Sequence, residues 1–175
     1  MGTQDASRIE DCPFCLIVNN QADTEILLSV STRLFLHVQE VNSVNSCLCL
    51  CVSVQDDELL CFRDMKPGAI HHYLVIPRTH IDNCKCLQGD HIPLVERMIE
   101  MATSVLEKNK VGDLSDVRMG FHIPPFSSVP HLHLHALAPA SKMNFKAQLH
   151  YGPQSHWFIT VDKVLSQLRT RGKVR

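Results

Sequence analysis

His131-Leu132-His133-Leu134-His135-Ala136-Leu137 constrains this chain more than any other segment. Side chains alternate faces along an extended strand, so strict alternation puts His131, His133 and His135 on one face, with Leu132 and Leu134 turned to a core. Same-face neighbours on such a strand stand about 6.5–7 Å apart, close enough for two to touch one phosphate-sized group. Three chemistries fit the pattern: a solvated polar face, a metal site using all three rings, or nucleophilic catalysis. A solvated face more often recruits Lys, Thr or Glu. A neutral imidazole, with its ordinary pKa near about 6.5, is a competent nucleophile and base at pH 7. Attack on phosphorus would give a phosphohistidine that water can cleave, with neighbouring rings donating hydrogen bonds to the phosphoryl oxygens.

The composition agrees with imidazole chemistry: 11 histidines stand beside 1 Trp and 2 Tyr. Lys and Arg total 17 against 18 acidic residues, a net charge of −1, so no bulk basic field favours nucleic acid or an anionic membrane. An apolar fraction of 45% supports a real core in a chain of 175 residues, enough for one domain. No run approaches the roughly 18 apolar residues of a membrane span, and Met1 to Asp5 carry no secretory n-region. Ala6 stands where a myristoylation signal wants Ser or Thr. The 8 cysteines are therefore expected as thiols or metal ligands of a reducing compartment.

The element pattern predicts an α+β domain, an antiparallel sheet with a long helix and a short C-terminal helix. Residues 1–10 read as a flexible tail, 11–170 as the domain, and 171–175 as a basic tail. Strands are expected over 25–28, 59–62, 72–77, 116–121 and 132–137. Asp90 is expected to cap a helix running to Lys108, with Ile92, Val95, Ile99, Ala102 and Leu106 on one stripe. A second helix is expected over 161–168. Residues 29–54, with Cys47, Cys49 and Cys51 in alternation, read as β or irregular. Cys12-Pro13-Phe14-Cys15 has the C-x-x-C spacing of a chelating pair, with free thiols and a redox pair as alternatives.

A second block, Phe62-Arg63-Asp64-Met65-Lys66-Pro67 followed by His71-His72-Tyr73-Leu74-Val75-Ile76-Pro77-Arg78-Thr79-His80, completes a pattern. Together with the histidine segment it resembles the histidine triad (HIT) family of nucleotide hydrolases and transferases, in block order and spacing across residues 55–138. That resemblance implies a HIT-like fold and attack by His133 on the α-phosphorus of a nucleotide, giving a covalent AMP-histidine. It implies that His135 binds the phosphate, that the His131 carbonyl orients His133, that His72 supports the site and that Ser128 assists the leaving group. Asp64, Met65 and Leu134 join His133 and His135 as the implied nucleotide contacts, with Asp64 on the ribose hydroxyls.

The family's Gln two places after the third histidine is missing here, where Ala136-Leu137 stand. This points to the phosphoramidase branch, with adenosine 5'-monophosphoramidates, including the AMP-lysine type, as substrates and AMP and an amine as products. No cofactor is expected for catalysis. A structural Zn²⁺ on Cys12, Cys15, His80 and His131 is implied, as is a homodimer built through the long helix and a strand edge. A cytoplasmic, and also nuclear, location is expected, with no membrane or nucleic-acid partner. Residues 29–54 add about 26 residues where the family has a short turn, so a nucleotide-binding or scaffold protein impaired by this insertion is the alternative. Pro124-Pro125-Phe126 replaces the family's Gly-Gln-Ser loop and leaves the leaving group open. Of the other histidines, His71 is expected to face outward, and His37, His91, His122, His150 and His156 carry no expected role.

Overall fold

A computed structural model of the chain describes residues 12–19, the backbone of 26–28, and residues 57–175. The expected tail over 1–10, the 29–54 segment and the alternating thiols of 47–51 lie outside the described residues.

The described elements are α1 (Pro13–Val18), β1 (Ile26–Leu28), β2 (Leu59–Arg63), β3 (His71–Pro77), α2 (Ile92–Lys108), β4 (Arg118–His122), β5 (Leu134–Ala138), α3 (Phe145–Tyr151), β6 (Phe158–Thr160) and α4 (Val161–Arg171). The strands form one six-stranded sheet in the order β1-β2-β3-β5-β4-β6, antiparallel throughout. The α+β reading therefore holds. Among the described residues no helix is long and apolar enough to cross a membrane.

Strand alternation sorts the side chains into two layers. Leu59, Cys61, Tyr73, Val75, Leu134, Ala136 and Ala138 join the core beneath α2 and α4. Leu60, Phe62, Leu74 and Ile76 face the opposite way and pack against Phe14, Cys15 and Ile17 of α1. Burial on both faces explains why β2 and β3 read as almost unbroken apolar runs. Pairing of Leu74 with His135, and of His72 with Leu137, puts both histidines on the α1 side of the sheet.

The helices owe their ends to local chemistry. Cys12 is extended and Pro13 opens α1 at its first turn, where the missing N–H leaves no bond unmade. In α2, Val95, Met98, Met101, Ala102, Val105 and Leu106 are buried, at about 1.5–3 kcal/mol for each large side chain. Asp90 does not cap it. Residues Gly89–His91 form a 3₁₀ turn whose reciprocal cap joins Gln88 and His91, with Gln88 N–H donating to His91 Nδ1 at 3.0 Å, and Asp90 is exposed. The preceding turn thus takes the place expected of the Asp90 side chain. α4 runs three residues beyond its expected end, to Arg171, and stops at Gly172 with φ +68°. Residues beyond it return to the domain: Gly172 O accepts from Gly89 N–H at 2.9 Å, Lys173 bridges to Gln88, and Val174 is buried.

β4 and β6 meet at Gly120, which pairs with both His135 and Thr160. A Cβ there would stand 2.3 Å from Ile159 O and 2.6 Å from the Phe158 ring. Gly120→Ala is therefore expected to destabilise the fold by about 1–3 kcal/mol. The check is a lower urea midpoint at unchanged slope; an unaltered midpoint would mean the β4–β6 contact is looser than described.

Candidate active site and metal centre

β5 begins at Leu134, two residues later than the alternation predicts, and residues 131–133 are irregular. The three histidines consequently do not share one face. Leu132 N–H is drawn to Ile81 O at 2.6 Å, and the His131 ring turns away toward the N-terminal cysteines. What remains between His131 and His133 is a backbone contact: His133 Nδ1 lies 2.6 Å from His131 O. A carbonyl can only accept, so Nδ1 carries the proton and Nε2 keeps its lone pair. Burial holds the His133 pKa below its ordinary value, opposed by that same hydrogen bond and by Asp64. The ring is neutral at pH 7 and available as a nucleophile.

His133 opens on a cleft of about 440 Å³, lined by Pro13, Phe14, Leu16, Ile17, Phe62, Asp64, Met65, Lys66, Leu74, Ser128, Val129, His133 and His135. The volume falls within the usual range for small-ligand sites. One wall is apolar and aromatic; Phe14 meets Phe62 at 5.5 Å and His133 at 5.3 Å, both edge-on. Asp64, Met65 and Ser128 line the cleft, Met65 at its exposed rim. Asp64 also caps its own turn, accepting from Lys66 N–H at 2.7 Å. Leu134 stands apart: it is fully buried in the α2 side of the core, because alternation turns it away from His135. Its side chain faces away from the cleft, which leaves only its backbone on the cleft side of β5.

Behind His133 the remaining histidines form a directional chain. Gly68 N–H donates to His72 Nδ1 at 3.0 Å, so His72 must carry its proton on Nε2. That N–H meets His135 Nδ1 at 2.9 Å, and Asp64 Oδ2 lies 3.4 Å away. His135 then carries its proton on Nε2, which meets His122 Nδ1 at 3.0 Å. His122, assigned no role from the sequence, thus belongs to the cluster. Burial keeps every ring neutral: His72 and His122 are each pushed down to about 4, and His135 well below its ordinary value. Tyr151 packs against His72, His122 and His135 at 5.1–5.3 Å, its phenol pushed up by burial to about 12.

Three groups of side chains among the described residues have the spacing of a metal site. In one, ligand atoms of Cys12, Cys15, His80 and His131 lie within 4.8 Å of one another. His131 Nδ1 is 3.5 Å from each sulfur, and His80 Nδ1 is 3.3 Å from Cys15 Sγ. Zn–S near about 2.3 Å and Zn–N near about 2.0 Å at a tetrahedral angle require an S···N edge of about 3.5 Å. Both rings also turn Nε2 to an outer acceptor, His131 to Pro77 O at 2.8 Å and His80 to Asp82 Oδ1 at 3.0 Å. This leaves both Nδ1 lone pairs facing the thiols, the arrangement a metal-bound histidine adopts. The other two groups, His122 with His133 and His135, and Asp64 with His72 and His135, are as close, but the chain from Gly68 commits both nitrogens of His72 and of His135 and leaves neither ring a lone pair for an ion.

The family description "Scavenger mRNA decapping enzyme C-term binding" matches residues 11–151. The adenosine 5'-monophosphoramidase HINT3 of Xenopus tropicalis is 51% identical over 114 residues, 65% of this chain and 74% of that protein. The bifunctional adenosine 5'-phosphosulfate phosphorylase/adenylylsulfatase HINT4 of Arabidopsis thaliana is 32% identical over 162 residues, covering 90% and 91%. A HIT family hydrolase from Legionella pneumophila shares the fold at 23% identity, with TM-score 0.53 over 73% of this chain and 92% of its own. The chain belongs to the histidine triad family.

The buried rings make stability pH-dependent. His72 and His122 take up protons near about 6.5 when unfolded but near 4 when folded. The unfolded state therefore binds more protons between those values, and stability falls as pH drops through that window. From pH 7 to 5 the loss is expected to be on the order of 2 kcal/mol for His72, and less for the half-buried His122. Urea denaturation across that range checks it; a flat profile would mean the rings take up protons as readily in the folded state as in the unfolded one.

Proposed function

We propose that this protein is an adenosine 5'-monophosphoramidase, cleaving the P–N bond of adenosine phosphoramidates, including the AMP-lysine type, to AMP and an amine. The observation that carries this reading is the His131 O···His133 Nδ1 contact, which leaves a neutral Nε2 lone pair at the wall of a nucleotide-sized cleft. The phosphoramidase activity named for relatives near half identity supports it.

The base would lie against Phe14, Ile17, Phe62 and Leu74, with the ribose hydroxyls on Asp64 and the Met65 rim over the sugar. His133 Nε2 attacks the α-phosphorus, the P–N bond breaks, and the departing nitrogen takes up one proton, for which the exposed hydroxyl of Ser128 is the nearby path to solvent. Water then cleaves the adenylyl-histidine, releasing AMP and restoring His133. His135 would lie on the phosphoryl side of the site, and His72 would support it from behind through its Nε2–H.

Cys12, Cys15, His80 and His131 would hold a structural Zn²⁺, which supplies no chemistry to the reaction. α1 and its N-cap residue carry the two thiols, and α1 also carries Phe14 and Ile17 of the cleft wall, so the ion would tether that wall to the segment bearing the nucleophile. A homodimer through the long helix and a strand edge completes the proposal, and light scattering of the purified protein tests it.

His133→Ala is expected to lower turnover of an adenosine phosphoramidate by at least about a thousandfold, and acid-quenched wild-type protein to carry AMP on a peptide containing residue 133. Nucleotide binding without turnover in the wild type would instead favour the scaffold reading attached to residues 29–54. Chelation with loss of a stoichiometric zinc is expected to raise KM for the nucleotide by about tenfold or more, with loss of α1 protection in hydrogen exchange. Metal-free protein that keeps both its KM and its α1 protection would remove the zinc from the account.

A further inference from the structure

The cleft takes the nucleotide half of an AMP-lysine substrate, and the amine half must be held elsewhere. A second cavity, of about 470 Å³, stands beside the cleft. Lys66 lines both. Tyr151 lines the second cavity and packs against His135, a residue of the cleft, with ring centroids 5.3 Å apart. One aromatic ring therefore separates this cavity from the phosphoryl side of the site.

The walls of the cavity are the turn after β2 and the helix α3. The two are in contact: a Cβ on Gly68 would stand 2.9 Å from the Tyr151 ring. Met143 and Ala147 seat α3 against Leu137 of β5, and Asn144 caps the helix by accepting from Ala147 N–H at 2.9 Å. Pro67, Ala147 and Tyr151 give the cavity apolar surface, and Lys66 and Lys146 give it charge. No Asp or Glu lines it, and neither lysine forms an ion pair among the described residues. Two ammonium groups around a concavity without an acidic wall concentrate positive potential inside it. Such a place repels a cationic amine body and attracts an anionic one.

We propose that this cavity is the subsite for the leaving amine, and that it selects amines whose body carries a carboxylate. The carboxylate has two sources: the free α-carboxylate of the adenylylated lysine itself, or an acidic residue next to that lysine in a peptide. The four-carbon stem of the lysine would lie on Pro67, Ala147 and Tyr151, with the carboxylate between Lys66 and Lys146. The proposal rests on the phosphoramidase reading of the cleft and extends it to the other half of the substrate. The charge is remote from the breaking bond and is felt alike in the ground state and the transition state, so the preference belongs in KM.

Two matched pairs of substrates test it: Nα-acetyl-lysine carrying AMP on its ε-nitrogen, as the free acid and as the amide, and a short capped peptide with the same AMP-lysine beside Glu or beside Gln. In at least one pair the acidic member is expected to have a kcat/KM about fivefold or more above its neutral twin, through KM, and the pair that shows it names the source of the carboxylate. The preference should shrink as salt rises from 0.05 to 0.5 M. Lys146→Glu is expected to abolish or reverse it, and Lys146→Arg to keep it. The ratio of two substrates on one preparation does not depend on the fraction of protein that is folded, so a variant that folds poorly still gives a reading. Equal kcat/KM within both wild-type pairs overturns the proposal, as does a preference that Lys146→Glu leaves intact. Calorimetric titration of His133→Ala protein with the same pairs reads the ratio as affinities, without turnover. A wild type that cleaves none of the four would fell the phosphoramidase reading, while the affinity ratio would still decide the subsite.

Discussion

The 2.6 Å contact between the His131 carbonyl and His133 Nδ1 is the constraint on which the rest of the site depends. It exists because the chain leaves strand geometry over residues 131–133, so that His131 offers its backbone to one neighbour and its ring to another. The ring, held by Pro77 O on Nε2, faces two thiols with Nδ1. A single residue thus joins the nucleophile to the metal-shaped cluster, and α1 joins that cluster to the apolar wall of the cleft. Disturbance of the thiols would propagate to the cleft wall and to the orientation of the attacking nitrogen by direct contact.

The electrostatics follow from placing imidazoles in a sheet that is buried on both faces. Desolvation pulls every ring of the cluster toward neutrality, which is what a nucleophile and fixed N–H donors require, and it makes the folded state less tolerant of acid. Hydrogen-bond direction then does what charge does in many other sites. One backbone N–H, from Gly68, sets the protonation pattern of three histidines in series, and the series ends on an N–H without a partner among the described residues.

Much of this was legible in the sequence where residue type and spacing are local. Cys12-x-x-Cys15, His80 and His131 converge as the family resemblance implied, and the apolar runs of β2 and β3 fall where expected. What escaped was set by tertiary contact. The six-residue α1 and the three-residue β6 are too short to show a period, although Pro13 directly after Cys12 was a start signal for the helix. Alternation over 131–137 correctly implied a strand but could not reveal that it begins at Leu134, because the Leu132–Ile81 bond that breaks it is long-range. His122 carries no motif of its own. The signal available was its parity with Gly120 on β4, which becomes informative only once β4 is paired with β5.

The central claim is that the nitrogen attacking phosphorus is His133 Nε2, because Nδ1 is committed to a carbonyl. The position of the adduct on the ring reads this directly. AMP trapped on the protein, released as adenylyl-histidine and compared with the two authentic isomers, should be the Nε2-linked form. Recovery of the Nδ1-linked isomer, or of AMP on any other residue, would contradict the account.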